Sequence, residues 1–126
     1  MRKLLNKVWY DTEKNSTKLF GYWNNLPTSD FRYLSEDFYR TDDGKFFYNY
    51  HGGALTKHCI WVDQHTKSES KGLAVLSREQ CYCMLLMYQN HLGESEFVNL
   101  VDKYFSDLVE KIGDEDAEQI LGQLFN

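Results

Sequence analysis

The chain has 126 residues, of which 42% are hydrophobic and 26% charged, a balance typical of one globular domain with a real core. It contains no apolar run long enough to cross a bilayer and no secretory leader pattern at its start. Its three cysteines do not suggest a disulfide framework. These features predict a cytoplasmic protein and exclude a membrane-spanning one.

The net charge of −5 is unevenly distributed along the chain. Residues 94–126 hold nine Asp and Glu against two Lys and Arg, a net charge of −7, whereas residues 1–93 have a net charge of +2. An acidic surface repels nucleic-acid phosphates and favours a basic partner. Direct binding of nucleic acid is therefore not favoured.

The first elements in chain order are predicted strands. Residues 3–10 predict one strand and residues 17–24 a second, in which Gly21 indicates a bulge or a close backbone approach. A short helical turn over residues 12–20 is the competing interpretation. Pro27 marks the loop that follows.

A hairpin is the strongest local prediction in the chain. Residues 31–40 and 45–50 are rich in Phe and Tyr and read as two strands. Between them, the Asp43-Gly44 step predicts a tight turn because Gly44 accepts positive φ without a Cβ clash. Residues 58–62 then predict a short strand or edge segment, and residues 63–76 a loop.

The rest of the chain is predicted to be helical. Ser77 and Gln80 form a capping-box pattern, which predicts a helix that runs to about residue 91 and is closed by Gly93 as a C-cap. Residues 95–112 predict a longer amphipathic helix, and residues 115–124 a third. The buried stripe of the long helix would comprise Phe97, Val98, Val101, Tyr104, Phe105, Leu108, Val109 and Ile112.

Strands first and helices afterwards indicate the α+β class. We expect an antiparallel sheet of about four strands in the N-terminal half, packed by about three C-terminal helices. The predicted organisation is a single domain over residues 1–126, with a β-rich part at 1–62, a loop at 63–76 and a helical part at 77–126.

Histidines and cysteines raise the question of a metal site. Cys81 and Cys83 are two residues apart on a predicted helix, so their sulfurs would point to different faces. That spacing differs from the CxxC pairs of structural zinc sites, and the sequence predicts no metal and no cofactor. The remaining candidate ligands are His51, His58, Cys59 and His65.

A small enzyme is an open alternative. Glu36, Asp37, His51 and His58 lie in or beside the hairpin, and a carboxylate with a histidine can perform general acid–base cleavage of RNA. Glu36 and Asp37 alternate faces of a strand, however, and no nucleophile elbow or phosphate loop is present. The sequence leaves open whether the chain is an enzyme, and these observations favour a protein that is not an enzyme.

The hairpin region resembles small proteins carried by phages, plasmids and other mobile elements of Firmicutes. The resemblance covers the first half of the chain. It rests on the following residues: Tyr10-Asp11-Thr12-Glu13, Glu36, Phe38-Tyr39-Arg40-Thr41, Gly44, Phe46-Phe47, Gly52-Gly53-Ala54 and Thr56-Lys57.

Proteins of this kind are often counter-defence factors, and some are similar to anti-CRISPR proteins. The resemblance implies an inhibitor of a bacterial defence nuclease that binds a Cas9-type effector, or its guide complex, through an acidic surface. An RNA-cleaving or RNA-modifying enzyme acting on guide RNA, a mobile-element regulator or antitoxin-like protein, and a homodimer all remain alternatives. The acidic residues expected to bind the partner are Glu36, Asp42, Asp43, Asp102, Asp107, Glu110, Asp114, Glu115 and Asp116.

Overall fold

The structure is a computed structural model that describes residues 1–54, 56–57, 60–61, 67–68 and 70–125. It divides into two compact units, Met1–Val75 and Leu76–Asn126, which we call the sheet unit and the helical unit. Described strands come first and described helices after them, which confirms the α+β class. The prediction that the chain forms a single domain stays a prediction.

The sheet unit opens with a small hairpin. Strands β1 (Arg2–Leu5) and β2 (Val8–Asp11) pair antiparallel, so the single strand predicted over residues 3–10 is wrong. The two residues between them, Asn6 and Lys7, have φ of 49° and 68°. Asn accepts this left-handed conformation more readily than most residues, and two such residues in succession reverse the chain.

The main sheet has four antiparallel strands in the order β3-β4-β5-β8, as the sequence predicted in number. Its members are β3 (Ser16–Trp23), β4 (Leu34–Thr41), β5 (Phe46–Gly52) and β8 (Ser70–Leu76). A separate pair joins β6 (Ile60–Trp61) to β7 (Lys67–Ser68). The helical turn considered for residues 12–20 is therefore wrong.

Strand β8 occupies part of the segment predicted as a loop over residues 63–76. The sequence did not predict this strand because its first three residues, Ser-Lys-Gly, are polar or small. Only its last four residues form an apolar run. Gly72 has a packing reason: a Cβ there would lie 3.0 Å from the Tyr50 hydroxyl oxygen on β5. A glycine within a strand can thus mark a close approach rather than a loop.

The central hairpin is confirmed, including its glycine turn. Gly44 has φ of +88°, and its amide donates to the Thr41 carbonyl at 3.0 Å. The Thr41 amide donates in turn to the Lys45 carbonyl at 2.7 Å. This hydrogen-bond pattern, which ends in a left-handed glycine, is that of a common three-residue hairpin connection.

Aromatic rings fill one side of the sheet. Phe38 is fully buried and stacks between Phe20 at 4.3 Å and Tyr48 at 5.3 Å, measured between ring centroids. The register places all three on one face, because Phe38 is opposite Phe20 on β3 and opposite Tyr48 on β5. These stacked rings therefore belong to the core of the sheet unit, whereas Trp9, Trp23 and Phe31 are exposed.

The helical unit begins as predicted. Helix α1 (Arg78–Met87) has Ser77 as its N-cap, and both bonds of the Ser77–Gln80 capping box are present. A short 3₁₀ turn follows at Gln89–His91. Gly93 is not the C-cap that the sequence predicted. It is the N-cap of α2 (Glu94–Leu100), and its φ of −65° lies outside the left-handed region.

The long helix predicted over residues 95–112 is interrupted. Helix α2 is followed by a π-helical turn at Val101–Phe105 and a 3₁₀ turn at Ser106–Leu108. Phe105 leaves helical geometry, with φ of −134°, and its ring is fully buried 5.7 Å from that of Tyr82. Burial of this ring overrides a continuous helical ladder. The last helix, α3, covers Asp114–Phe125.

Candidate partner-binding surface

The charge imbalance of the sequence coincides with the division into units. The helical unit holds ten Asp and Glu against three Lys and Arg, a net charge of −7, and the sheet unit has a net charge of +2. A unit with so much charge of one sign attracts basic partners over about a Debye length, roughly 10 Å at 0.1 M salt.

The first turn of α3 carries three consecutive acidic residues, Asp114, Glu115 and Asp116, all exposed. Local physics favours acids there, because the free amides of a helix N-terminus interact well with negative charge. Asp116 has a specific local role, since its Oδ2 accepts the Gly113 amide at 3.1 Å. Asp114 and Glu115 form no ion pair or side-chain hydrogen bond with another described residue. We call these two residues the exposed acidic pair.

Asp107 is different, because its charge is matched within the unit. Arg78 donates two hydrogen bonds to the Asp107 carboxylate, both at 2.6 Å, and also donates to the Tyr104 carbonyl at 3.1 Å. These bonds lower the pKa of Asp107 to about 2. The Arg78–Asp107 fork thus fastens α1 to the irregular segment after α2, and little of this charge remains for a partner.

Asp102 and Glu110, the other two acids predicted on the helical unit, are both exposed. Neither forms an ion pair with another residue that the structure describes. Asp102 belongs to the π-helical turn and borders an apolar groove of its own unit. Both side chains are available to a partner in solution.

The two hairpin acids lie beside a pocket of the sheet unit. Asp42 and Asp43 are exposed at the turn, and Asp43 pairs with Lys45 at 2.9 Å and accepts a short hydrogen bond from the Thr41 hydroxyl. The pocket encloses about 330 Å³ and includes the half-exposed ring of Trp9. The remaining members of its lining are Lys7, Val8, Asn15 and Thr41.

Glu36 lies in the interior of the sheet unit, with no exposed surface. Its Oε1 is 3.0 Å from the ammonium nitrogen of Lys57, whose side chain is 23% exposed. Burial lowers the pKa of Lys57, and the nearby Glu36 charge opposes that effect. A fully buried carboxylate that is paired with a partly exposed lysine offers nothing to a partner in this conformation, so Glu36 serves the interior of the sheet unit.

The register separates Glu36 from His51 and keeps the other candidate carboxylate, Asp37, on the His51 face, where Asp37 pairs with Lys18 at 3.0 Å. Glu36 is opposite Tyr50 on β5, whereas His51 is opposite Ser35, so the side chains of Glu36 and His51 point to opposite faces of the sheet. The His51 ring packs 4.9 Å from that of Tyr33. The second proposed base, His58, lies outside the described residues. Within the described part, no specific observation favours the enzyme hypothesis.

The two helical cysteines are buried thiols. Cys81 and Cys83 are both inaccessible to solvent, and burial raises the pKa of each. Among the residues that the structure describes, no three His, Cys, Asp or Glu side chains are grouped as metal ligands would be. Cys59, His58 and His65, which the sequence offers as further ligands, lie outside the described residues.

Sequence reasoning missed two features. One is the pairing of Glu36 with Lys57, and the other is the solvent exposure of part of the apolar stripe predicted for the long helix. Val98 and Val109 belong to the predicted stripe, yet they are 45% and 52% exposed. The sequence did contain a signal for this exposure. The stripe has eight apolar residues, which is more than the core-facing side of one helix needs. The pairing of Glu36 with Lys57 has no local sequence signal.

Comparisons with protein-family models, with curated proteins and with solved structures find no match. Within the described part of the chain, no helix has the length and apolar character needed to span a membrane.

Proposed function

We propose that this chain is an inhibitory binding protein that uses the acidic surface of its helical unit to occupy a basic nucleic-acid-binding surface of a bacterial defence nuclease. The observation that supports this most is the exposed acidic pair, Asp114 and Glu115, on a unit of net charge −7. Charges without internal partners are the ones that steer association and complement a basic surface.

Within this proposal, the target is a Cas9-type effector or its guide complex in the cytoplasm of a bacterial host. Such effectors hold guide and target in positively charged channels and contact the nucleic-acid backbone there. Support for this particular target comes from the resemblance of the hairpin region to mobile-element proteins of Firmicutes. The proposed contacts on the helical unit are its exposed acids Asp102, Glu110, Asp114, Glu115 and Asp116. The hairpin acids Asp42 and Asp43 are secondary candidates, because they belong to the other unit and Asp43 is paired with Lys45.

The test is capture of a Cas9-type effector by the tagged full chain, with and without guide RNA, at low and high salt. At about 50 mM salt we expect capture, and at about 500 mM salt a marked loss, because screening weakens exposed charge pairs. Capture that depends on the guide state would indicate which channel is occupied. No capture in either guide state would overturn the proposal for that effector.

The helical unit offers a matched control for position. The test variant carries Asp114→Asn and Glu115→Gln, and the control carries Glu94→Gln and Glu96→Gln in the first turn of α2. Both change the net charge by +2 and both remove acids from a helix N-terminus, so their effects on helix stability are alike. A larger loss of capture in the test variant would support the α3 end as the contact, and equal losses would contradict it.

A further inference from the structure

The helical unit contains an apolar groove with a volume of about 340 Å³. One wall comes from α1, and the other from α2 and the irregular segment that follows it. Six of the eight lining residues are apolar: Tyr82, Leu86, Phe97, Val98, Val101 and Val109. The remaining two, Gln89 and Asp102, are polar.

The groove is supported by well-packed residues beneath it. Its floor includes Tyr82, which is 4% exposed and packs 5.7 Å from the fully buried Phe105 ring. Val98 and Val109 form exposed rims. The π-helical turn at Val101–Phe105 interrupts the wall at this point, and such turns are frequent at functional sites.

The walls decide which kind of segment fits. Both are made of helical and turn segments that present side chains, so no strand edge is available for a partner strand to extend. Apolar side chains spaced one helical turn apart, such as Tyr82 and Leu86 or Phe97 and Val101, form the ridges against which another helix packs. The fitting occupant is therefore an amphipathic helix.

The charge around the groove indicates which charge the partner helix should have. Asp102 borders the groove and forms no ion pair with any other described residue, and the whole unit has a net charge of −7. A second copy of this chain would bring the same negative charge to the groove, and like charges at an interface oppose association. A partner helix with Lys or Arg beside its apolar stripe would be attracted.

We propose that this groove docks a basic amphipathic helix of the partner protein. The inference rests on the proposed function, because it takes the partner to be basic, and it adds that part of the recognition is apolar. Asp102 meets a basic residue of the incoming helix, while the rims at Val98 and Val109 cover its apolar stripe.

The test uses a labelled 14-residue peptide of Leu and Lys, patterned so that Leu lies on one helical face, with fluorescence anisotropy on the full chain. Two matched peptides separate the contributions: Leu/Glu reverses the charge, and Ser/Lys removes the apolar stripe. We expect the Leu/Lys peptide to bind at least about tenfold more tightly than either, since both terms are required. Equal binding of Leu/Lys and Ser/Lys peptides would overturn the groove as the site, because charge alone would then explain it.

Two variants locate the binding. Val98→Asp places a carboxylate on the rim, and Met87→Asp makes the same change at a residue that is 42% exposed and does not line the groove. Both add one negative charge, so a loss of about tenfold in Val98→Asp with little change in Met87→Asp supports apolar docking. Equal affinities would contradict it. Val109→Asp, on another rim, replaces Val98→Asp if urea unfolding shows that the latter is misfolded.

The remaining outcomes separate this inference from the proposed function. If light scattering shows a wild-type dimer that Val98→Asp makes monomeric, a second copy is the occupant and the inference is overturned. If Val98→Asp still captures the effector, the groove is not the docking site, and the inference is overturned while the proposed function is unaffected. If the wild type binds the peptide but captures no effector, the proposed target is overturned, while the groove is still assigned to a basic amphipathic helix.

Discussion

At the scale of single residues, the pairing of Glu36 with Lys57 shows most clearly where sequence reasoning ends. The sequence analysis counted Glu36 among the acids expected to bind a partner, which requires it to lie at the surface. In the fold Glu36 is fully buried, while Asp37 on the other face pairs with Lys18 at 3.0 Å. Alternation predicts that the two differ in face, but which face is buried depends on packing far along the chain.

Removing Lys57 tests this buried pair. Lys57→Met removes the ammonium group that lies 3.0 Å from the buried Glu36 carboxylate, so we expect the free energy of unfolding to fall by about 2 kcal/mol. The double variant Glu36→Gln/Lys57→Met removes both charges and is expected to recover at least half of that loss. Urea unfolding at neutral pH measures both, and a loss below about 0.5 kcal/mol in Lys57→Met, the range of an exposed pair, would contradict the account.

Asp107 supplies a pH-dependent prediction at the same scale. Hydrogen bonds from Arg78 lower its pKa from 3.8 to about 2, so the folded state favours the charged form. The stabilisation is therefore complete above about pH 4 and is lost as pH falls from 3.8 towards 2. In Arg78→Gln we expect the pKa of Asp107 to return towards 3.8.

Carboxyl-carbon NMR titration of Asp107 gives this result directly. Urea midpoints measured from pH 5 to pH 2 complete it, because the wild type should lose more stability over this range than Arg78→Gln does. A titration midpoint near 3.8 in the wild type would show that the Arg78–Asp107 fork does not persist in solution.

At the scale of elements, local signals predicted the structure well and long-range ones did not. The capping box of Ser77 and Gln80 and the turn at Gly44 involve residues three or fewer positions apart, and both formed as expected. The break after α2 depends on the burial of Phe105 against Tyr82, which are 23 residues apart in sequence. Helical periodicity contains no information about such a contact.

The role of Gly93 can be tested by substitution. It begins α2 with φ of −65°, has no side-chain cap to offer, and a Cβ there would meet nothing within 4 Å. Gly93→Ser adds a cap oxygen and restricts the unfolded chain, so we expect the free energy of unfolding to rise by about 0.5 kcal/mol.

Gly44→Ala is the control with the opposite sign. At φ of +88° a Cβ is strained, and the same measurement should show a loss of about 1 kcal/mol. If Gly93→Ser destabilises the chain as much as Gly44→Ala does, then Gly93 has the left-handed C-cap conformation expected from the sequence.

At the scale of the molecule, the acidic C-terminal part was predictable because charge is additive along a chain and independent of its folding. Which acids remain available was not predictable. Asp107 is held by Arg78 and Glu36 is buried, whereas Asp114 and Glu115 have no ion pair within the described residues. The apolar groove beside Asp102 was also out of reach, since it depends on the interrupted helix.

The most direct measurement of the central claim is the affinity of the full chain for a guide-free and a guide-loaded Cas9-type effector, titrated calorimetrically over a series of salt concentrations. The account predicts that Kd rises at least about tenfold between roughly 50 and 500 mM salt, and less steeply for the Asp114→Asn/Glu115→Gln variant than for Glu94→Gln/Glu96→Gln. Tight binding that is unchanged by salt, or equal slopes in the two variants, would contradict it.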